Sequence, residues 1–118
     1  MKFSNFLAVA FITVFLTSCT VTGPVAVIGH DGKILRGTYT ASLSGGSFQV
    51  TDGKLTCAGS YDSMDTSSTI TMPVHCSDGR KGFVVSTRQP NGVDGFGKVT
   101  LNDGTQADFV FGKAAEAF

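Results

Sequence analysis

The sequence predicts an all-β domain of about eight short antiparallel strands, closed as a small barrel or folded as a two-sheet sandwich. Three observations carry that expectation. Asp-Gly recurs four times, at Asp31-Gly32, Asp52-Gly53, Asp78-Gly79 and Asp103-Gly104, each time between stretches in which apolar and polar residues alternate. A tight hairpin turn needs positive φ at its centre, which Gly bears without steric cost. All 15 Gly lie beyond residue 18, about twice the usual share of ~7%, a bias toward turns and strands. The only helical signal is a weak one in the last six residues, a tail expected to fray.

Taken in order, the strands are expected at residues 25–29, 33–43, 46–51, 54–61, 69–77, 80–88, 95–101 and 105–111. Residues 19–24 read as a short tether, because Pro24 interrupts any regular element there. If Asp52-Gly53 is a two-residue type I′ loop, Val50 opposes Leu55 and Phe48 opposes Cys57, which gathers four apolar side chains on one face. The same rule at Asp78-Gly79 pairs Cys76 with Lys81, Val74 with Phe83 and Met72 with Val85. The last hairpin fits a three-residue Asn102-Asp103-Gly104 loop with a Gly bulge, in which Val99 opposes Ala107 and Phe109 and Phe111 continue the face. Turn-rich segments join the hairpins at Leu43-Ser44-Gly45-Gly46, from Asp62 to Ser68, and from Gln89 to Asp94. The one apolar face must curl over itself to stay dry. Phe48, Leu55, Val74, Phe83, Val99 and Phe109 are expected to fill the interior.

Ahead of this domain, Lys2 precedes an uncharged apolar run from Phe6 to Leu16, followed by Leu16-Thr17-Ser18-Cys19. That run is too short for a transmembrane helix, which needs roughly 20 apolar residues, and has the form of an export signal. The tetrapeptide resembles the lipobox of bacterial lipoproteins: an aliphatic residue, two small residues and a cysteine. The resemblance is specific over residues 1–19; beyond them the chain is similar in composition to small Gram-negative envelope lipoproteins. It implies that residues 1–18 are removed and that Cys19 carries a lipid, leaving one domain at residues 25–112 and a tail at 113–118. It also implies a membrane-bound protein of the cell envelope. Thr20 in place of an Asp retention signal favours the outer membrane, if the sorting rule of enteric lipoproteins holds.

With Cys19 assigned to the lipid, Cys57 and Cys76 remain as an even pair in an oxidising compartment, where a disulfide is expected. A zinc site lacks ligands, since His75 beside Cys76 has no CxxC or HxxxH companion. His30 and His75 stand apart from any nucleophile motif, and Asp62 with Asp65 offers too few oxygens for a calcium ion. Gly92 to Gly97 runs into a strand, whereas a phosphate loop opens a helix. Formal net charge is +0, which argues against nucleic acid as a partner. No cofactor or metal is indicated. The sequence therefore predicts a non-catalytic interaction or structural module, touching an envelope protein or glycan through loop residues Tyr61, Asp62, Asp65, Arg88 and Asn91. The alternative is a small apolar-ligand carrier with a barrel cavity, and His30 and His75 are expected to be dispensable.

Overall fold

The structure, a computed structural model, describes residues 19–118; the expected export signal lies outside the described residues. Eight strands follow one another around a closed antiparallel barrel: β1 (Thr20–Gly29), β2 (Ile34–Ser42), β3 (Gly45–Thr51), β4 (Thr56–Tyr61), β5 (Thr69–Cys76), β6 (Lys81–Arg88), β7 (Gly95–Leu101) and β8 (Gln106–Phe111). β8 returns to pair with β1 between Val25↔Phe111 and Gly29↔Ala107. Closure removes the exposed sheet edges that an open sheet would have to protect. Of the two architectures expected, the chain forms the barrel.

All four Asp-Gly hairpins lie at one end, and three share one construction. Gly29 N–H donates to Lys33 O (2.8 Å), Cys76 N–H to Arg80 O (2.8 Å) and Leu101 N–H to Thr105 O (2.9 Å), each closing a three-residue loop. Within each loop the Gly has positive φ, 87°, 92° and 90° for Gly32, Gly79 and Gly104, and no non-Gly residue among those described does. The Asp remains on the ordinary side of φ. Its carboxylate instead accepts the N–H two residues on, from Lys33 (3.0 Å), Arg80 (3.1 Å) and Thr105 (2.9 Å). The β3–β4 connection is four residues long, and there the Asp52 carboxylate accepts from both Lys54 (2.9 Å) and Leu55 (2.8 Å) N–H.

These loops correct two predicted registers. A type I′ turn would place Asp at positive φ; the chain avoids that strain by capping the turn with the Asp side chain and lengthening the loop. Val50 thus opposes Cys57 and Phe48 opposes Gly59, while Leu55 remains in the connection, half-buried against the core. In the third hairpin Val74 opposes Gly82 and Met72 opposes Val84. A one-residue slip exchanges the two faces of a strand. Val84 is therefore fully buried, and Phe83, expected in the core, points outward and is 59% exposed, with Val85 beside it. The fourth hairpin has the expected register, Val99 opposite Ala107.

The lumen is filled around its waist by Val25, Val50, Val74 and Val84, all nearly inaccessible, and by Phe48 and Phe109. Each such burial contributes about 1.5–3 kcal/mol relative to exposure. Large rings fit in so narrow a barrel because each faces a glycine on the adjacent strand: Tyr39 opposite Gly23, Tyr61 opposite Gly46, Phe48 opposite Gly59, Phe111 opposite Gly95. A Cβ on any of these four glycines would collide with the ring.

β1 begins at Thr20, so residues 20–24, expected as a tether, are strand. They pair with β2 from Thr20↔Ser42 to Pro24↔Thr38, beyond the point where β8 ends. Proline is tolerated there because its missing N–H falls on the flank where the regular β8 pairing has ended, its carbonyl still accepting from Gly112 N–H (2.9 Å). The C-terminal tail is also ordered, as a 3-10 helix (Lys113–Ala117) packed on β1 and β8. Its Ala115 is buried, as is Ala26 of β1, which is not part of the luminal core. Lys113 N–H donates to Asp94 Oδ1 (2.6 Å), and Arg36 Nε donates to Phe118 O. The fraying expected of this tail is thus replaced by docking.

Candidate functional site

The lumen has a cavity at each end, and the edge-to-face pair Phe48–Phe109, with centroids 5.1 Å apart, lies at the waist between them. At the loop end, opposite the Asp-Gly hairpins, a cup of about 220 Å³ opens between the β4–β5 and β6–β7 connections. Its wall is apolar, from Ala41, Ile70, Met72 and Phe111, and its rim carries Tyr39, Tyr61, Ser63 and Arg88. Tyr39 Oη donates to Val93 O (3.4 Å), tying the β6–β7 connection to β2. Burial raises the pKa of both tyrosines, with the Asp94 charge adding to Tyr39 and the neighbouring Tyr39 to Tyr61, so both remain phenols through the neutral range. Buried Ser86 is the polar residue of the floor.

At the Asp-Gly end a cavity of about 310 Å³ lies above Val50, Val74, Val84 and Leu101. Its rim is ionic. Arg80 donates from Nε to Asp78 (2.8 Å) and from Nη1 to Asp103 (3.3 Å), joining the tips of the third and fourth hairpins. The hydrogen bonds and charge of this cluster hold the Asp78 carboxyl below the ordinary carboxylate range, led by the Arg80 N–H, and hold Asp103 low through Thr105 and Arg80.

Of the predicted contact residues, the structure brings Tyr61, Asp65 and Arg88 together at the loop end, Arg88 Nη2 donating to Asp65 O (3.4 Å). Asp62, Asp65 and Asn91 turn inward to their own loops. Asp62 accepts from Met64 N–H (2.9 Å), Asp65 from Ser67 N–H (2.9 Å), and Asn91 Oδ1 from Val93 and Asp94 N–H (both 3.1 Å). Arg80 and Arg88 rim opposite cavities, and Arg36 Nε donates to Phe118 O. Sequence reasoning does not single out Tyr39 or Ile70 for the cup, although the alternation Leu35, Gly37, Tyr39, Ala41 already assigns one face of β2 to the interior.

Cys57 and Cys76 form a disulfide, directly opposite each other across β4 and β5. Those strands share only three register pairs, Cys57↔Cys76, Ala58↔His75 and Gly59↔Val74, the shortest seam of the barrel. The bond therefore staples the second hairpin to the third where backbone pairing is least. His75 is exposed on the outer face and His30 sits in the β1–β2 loop; the His30 charge lowers Asp108 slightly, behind the dominant hydrogen bond from Lys98 (2.8 Å). Among the described residues no three His, Cys, Asp or Glu side chains gather as a metal site. Cys19 is free and exposed.

Outside the barrel, Phe83 and Val85 of β6, Phe96 of β7 and the C-terminal Phe118 are all exposed. Val85, Phe96, Val110 and Phe118 line a shallow groove around the Lys98–Asp108 ion pair. No helix among the described residues is long and apolar enough to cross a membrane. No known protein family, curated protein or solved structure matches the chain.

Proposed function

We propose that this is an envelope protein anchored by lipid on Cys19, in the outer membrane, which works by binding a protein partner and catalyses nothing. The observation that carries the reading is the outer strip of Phe83, Val85 and Phe96, three large apolar side chains exposed on two adjacent strands. Exposed large apolar side chains gathered on one face mark interaction sites, and aromatic side chains dominate binding energy where they are covered. The closed barrel leaves only short unpaired strand ends, at residues 20–24 of β1 and beside the β4–β5 seam, so the contact is assigned to side chains rather than to an added strand. The loop residues Asp62, Asp65 and Asn91 are committed to their own turns, which moves the expected contact from loop tips to this strip.

A photoreactive phenylalanine at position 96 of the lipidated protein in cells is expected to crosslink to one defined protein, and the same group at Lys54 is not. Phe83→Ser with Val85→Ser should abolish the adduct formed from position 96, while His30→Ala and His75→Ala leave it intact. Equal labelling from positions 54 and 96 would reject the strip. Anchoring is checked separately: the N-terminal peptide of the membrane fraction should begin at acylated Cys19, and Cys19→Ala should leave an uncut precursor or a released protein.

The cup supports the second reading, a carrier of a small apolar ligand with an anionic end. Its apolar wall beneath Arg88 suits such a molecule, but about 220 Å³ falls below the usual ~300–1,000 Å³ of ligand pockets. A fluorescent medium-chain fatty acid displaced by Met72→Trp would favour the carrier.

A further inference from the structure

We propose that the loop end of the barrel is a membrane-seating surface, in which Val21, Leu43, Met64 and Val93 enter the lipid interface and the Asp-Gly end points away from the bilayer. The four residues come from four different places in sequence, yet the topology brings them to one end. Leu43 is in the β2–β3 turn, Met64 in the β4–β5 connection, Val93 in the β6–β7 connection, and Val21 is the second residue of β1, paired with Ala41 at the strand's loop-end start. Each connection at this end thus presents one large apolar side chain, exposed by between 49% at Val93 and 77% at Leu43. No connection at the Asp-Gly end has an exposed large apolar residue among those described.

The occupant is indicated by where the chain enters. Thr20 pairs with Ser42, so Cys19 leaves the barrel beside the Leu43-Ser44 turn. The apolar run from Phe6 to Leu16 ends only three residues earlier in sequence. Because β1 starts at Thr20, a lipid on Cys19 has no tether, and one residue spans only ~3.5 Å. The loop end is therefore held at the headgroups, and the four tips lie at the depth that interfacial apolar side chains occupy, roughly 5–10 Å below the headgroup boundary. The charges of the local carboxylates are partly offset by backbone donors, since Asp62 and Asp65 accept N–H groups of their own loop and Asp94 accepts Lys113 N–H. Arg88 at the cup rim stands at the level of the lipid phosphates.

The inference rests on Cys19 as the anchor point, and its test is arranged to be independent of how the cell modifies that residue. The chain from Cys19 onward contains all eight strands and the whole core. With Cys57 and Cys76 joined, Cys19 can be coupled selectively to a maleimide phospholipid in phosphatidylcholine vesicles. The sequence contains no Trp, so Leu43→Trp, Met64→Trp and Val93→Trp each introduce a sole tryptophan, excited apart from Tyr39 and Tyr61 at long wavelength, at an exposed site, with Lys54→Trp as the control at the far end. The three loop-end probes should shift to the blue and lose most of their emission when the acyl chains are brominated, and the control should keep its emission. Loop-end probes that match the control overturn the proposal. So does a blue shift without quenching by brominated lipid, which would mean that a second copy covers the tips. An unmodified Cys19 in cells would instead refute the anchor reading and leave the vesicle result standing.

Discussion

The two ends of this barrel are built from the same kind of strand and closed in opposite ways. At the Asp-Gly end, four short connections turn their polar side chains onto their own backbone, and a disulfide and the Arg80 cluster bind neighbouring hairpins together. At the loop end the β4–β5 and β6–β7 connections are longer, the strands flanking residues 62–68 separate, and apolar tips remain uncovered. The difference teaches where stability and function reside. One end holds the ring closed; the other is free to be a contact surface, as loops on a rigid scaffold commonly are.

Removing the disulfide should have the largest effect. Cys57→Ser with Cys76→Ser leaves three register pairs to hold β4 to β5, and loss of such a bond from a small domain costs about 2–5 kcal/mol. Denaturant melts would measure it. A thiol titration of the unfolded, unreduced wild-type chain from Cys19 onward should find Cys19 alone. Next comes Gly59→Ala, whose Cβ meets the Phe48 ring and the Pro73 carbonyl; overpacking of this kind costs about 1–3 kcal/mol. Gly53→Ala at the neighbouring turn has open space but φ of 94°, a strain of about 1–2 kcal/mol. Measuring both separates packing at the waist from backbone strain at the end.

Acid should weaken both ends by the same route. The carboxyls of Asp52, Asp78 and Asp103 at one end and Asp65 and Asp94 at the other are held low, led in most cases by backbone N–H bonds and at Asp103 by the Thr105 side chain. A carboxyl with a folded pKa below its unfolded value stabilises the fold above the ordinary range, near about 3.9. That contribution is lost as pH falls through the lower, folded value. Melting temperature should therefore decline below about pH 4, and Asp52→Asn should flatten the decline while lowering stability at neutral pH. The smallest effect is expected at the tips: Leu43→Ser, Met64→Ser and Val93→Ser should each change stability in solution by less than about 0.5 kcal/mol. If instead they destabilise the barrel strongly, the tips pack against the protein and the contrast between the ends disappears.

Much of the Asp-Gly end is legible in the sequence, because Asp-Gly has a local mechanism that needs no knowledge of the partner strand. Four hairpins, eight strands and the last register follow from it. The registers of the second and third do not, since the choice between a two-residue turn and a longer capped one depends on where the Asp carboxylate finds N–H donors. That single residue of uncertainty moves Phe83 from core to surface and creates the outer strip. β1 was legible only from Val25 onward. Pro24 argues against a paired strand, and its tolerance depends on β8 ending at Phe111, a non-local fact. The loop end is the least legible, because Val21, Leu43, Met64 and Val93 show no common pattern until the topology gathers them.

The connectivity also sets an order of assembly. Every seam except β1–β8 joins strands adjacent in sequence, so most pairing is local and needs only short loops to close, which favours rapid formation. The exception joins the first strand to the last and requires nearly the whole domain to be present. The ring therefore closes last, and its final act brings the strand next to Cys19 against the strand that leads into the docked C-terminus. Pulse-labelled hydrogen exchange during refolding should show the β1 amides that face β8 protected after those of the β5–β6 and β6–β7 pairs, whereas simultaneous protection would contradict this order. A nascent chain lacking residues beyond β7 would remain an open sheet, with one unpaired edge on each side and its apolar face exposed, a form prone to self-association until the six residues of β8 arrive.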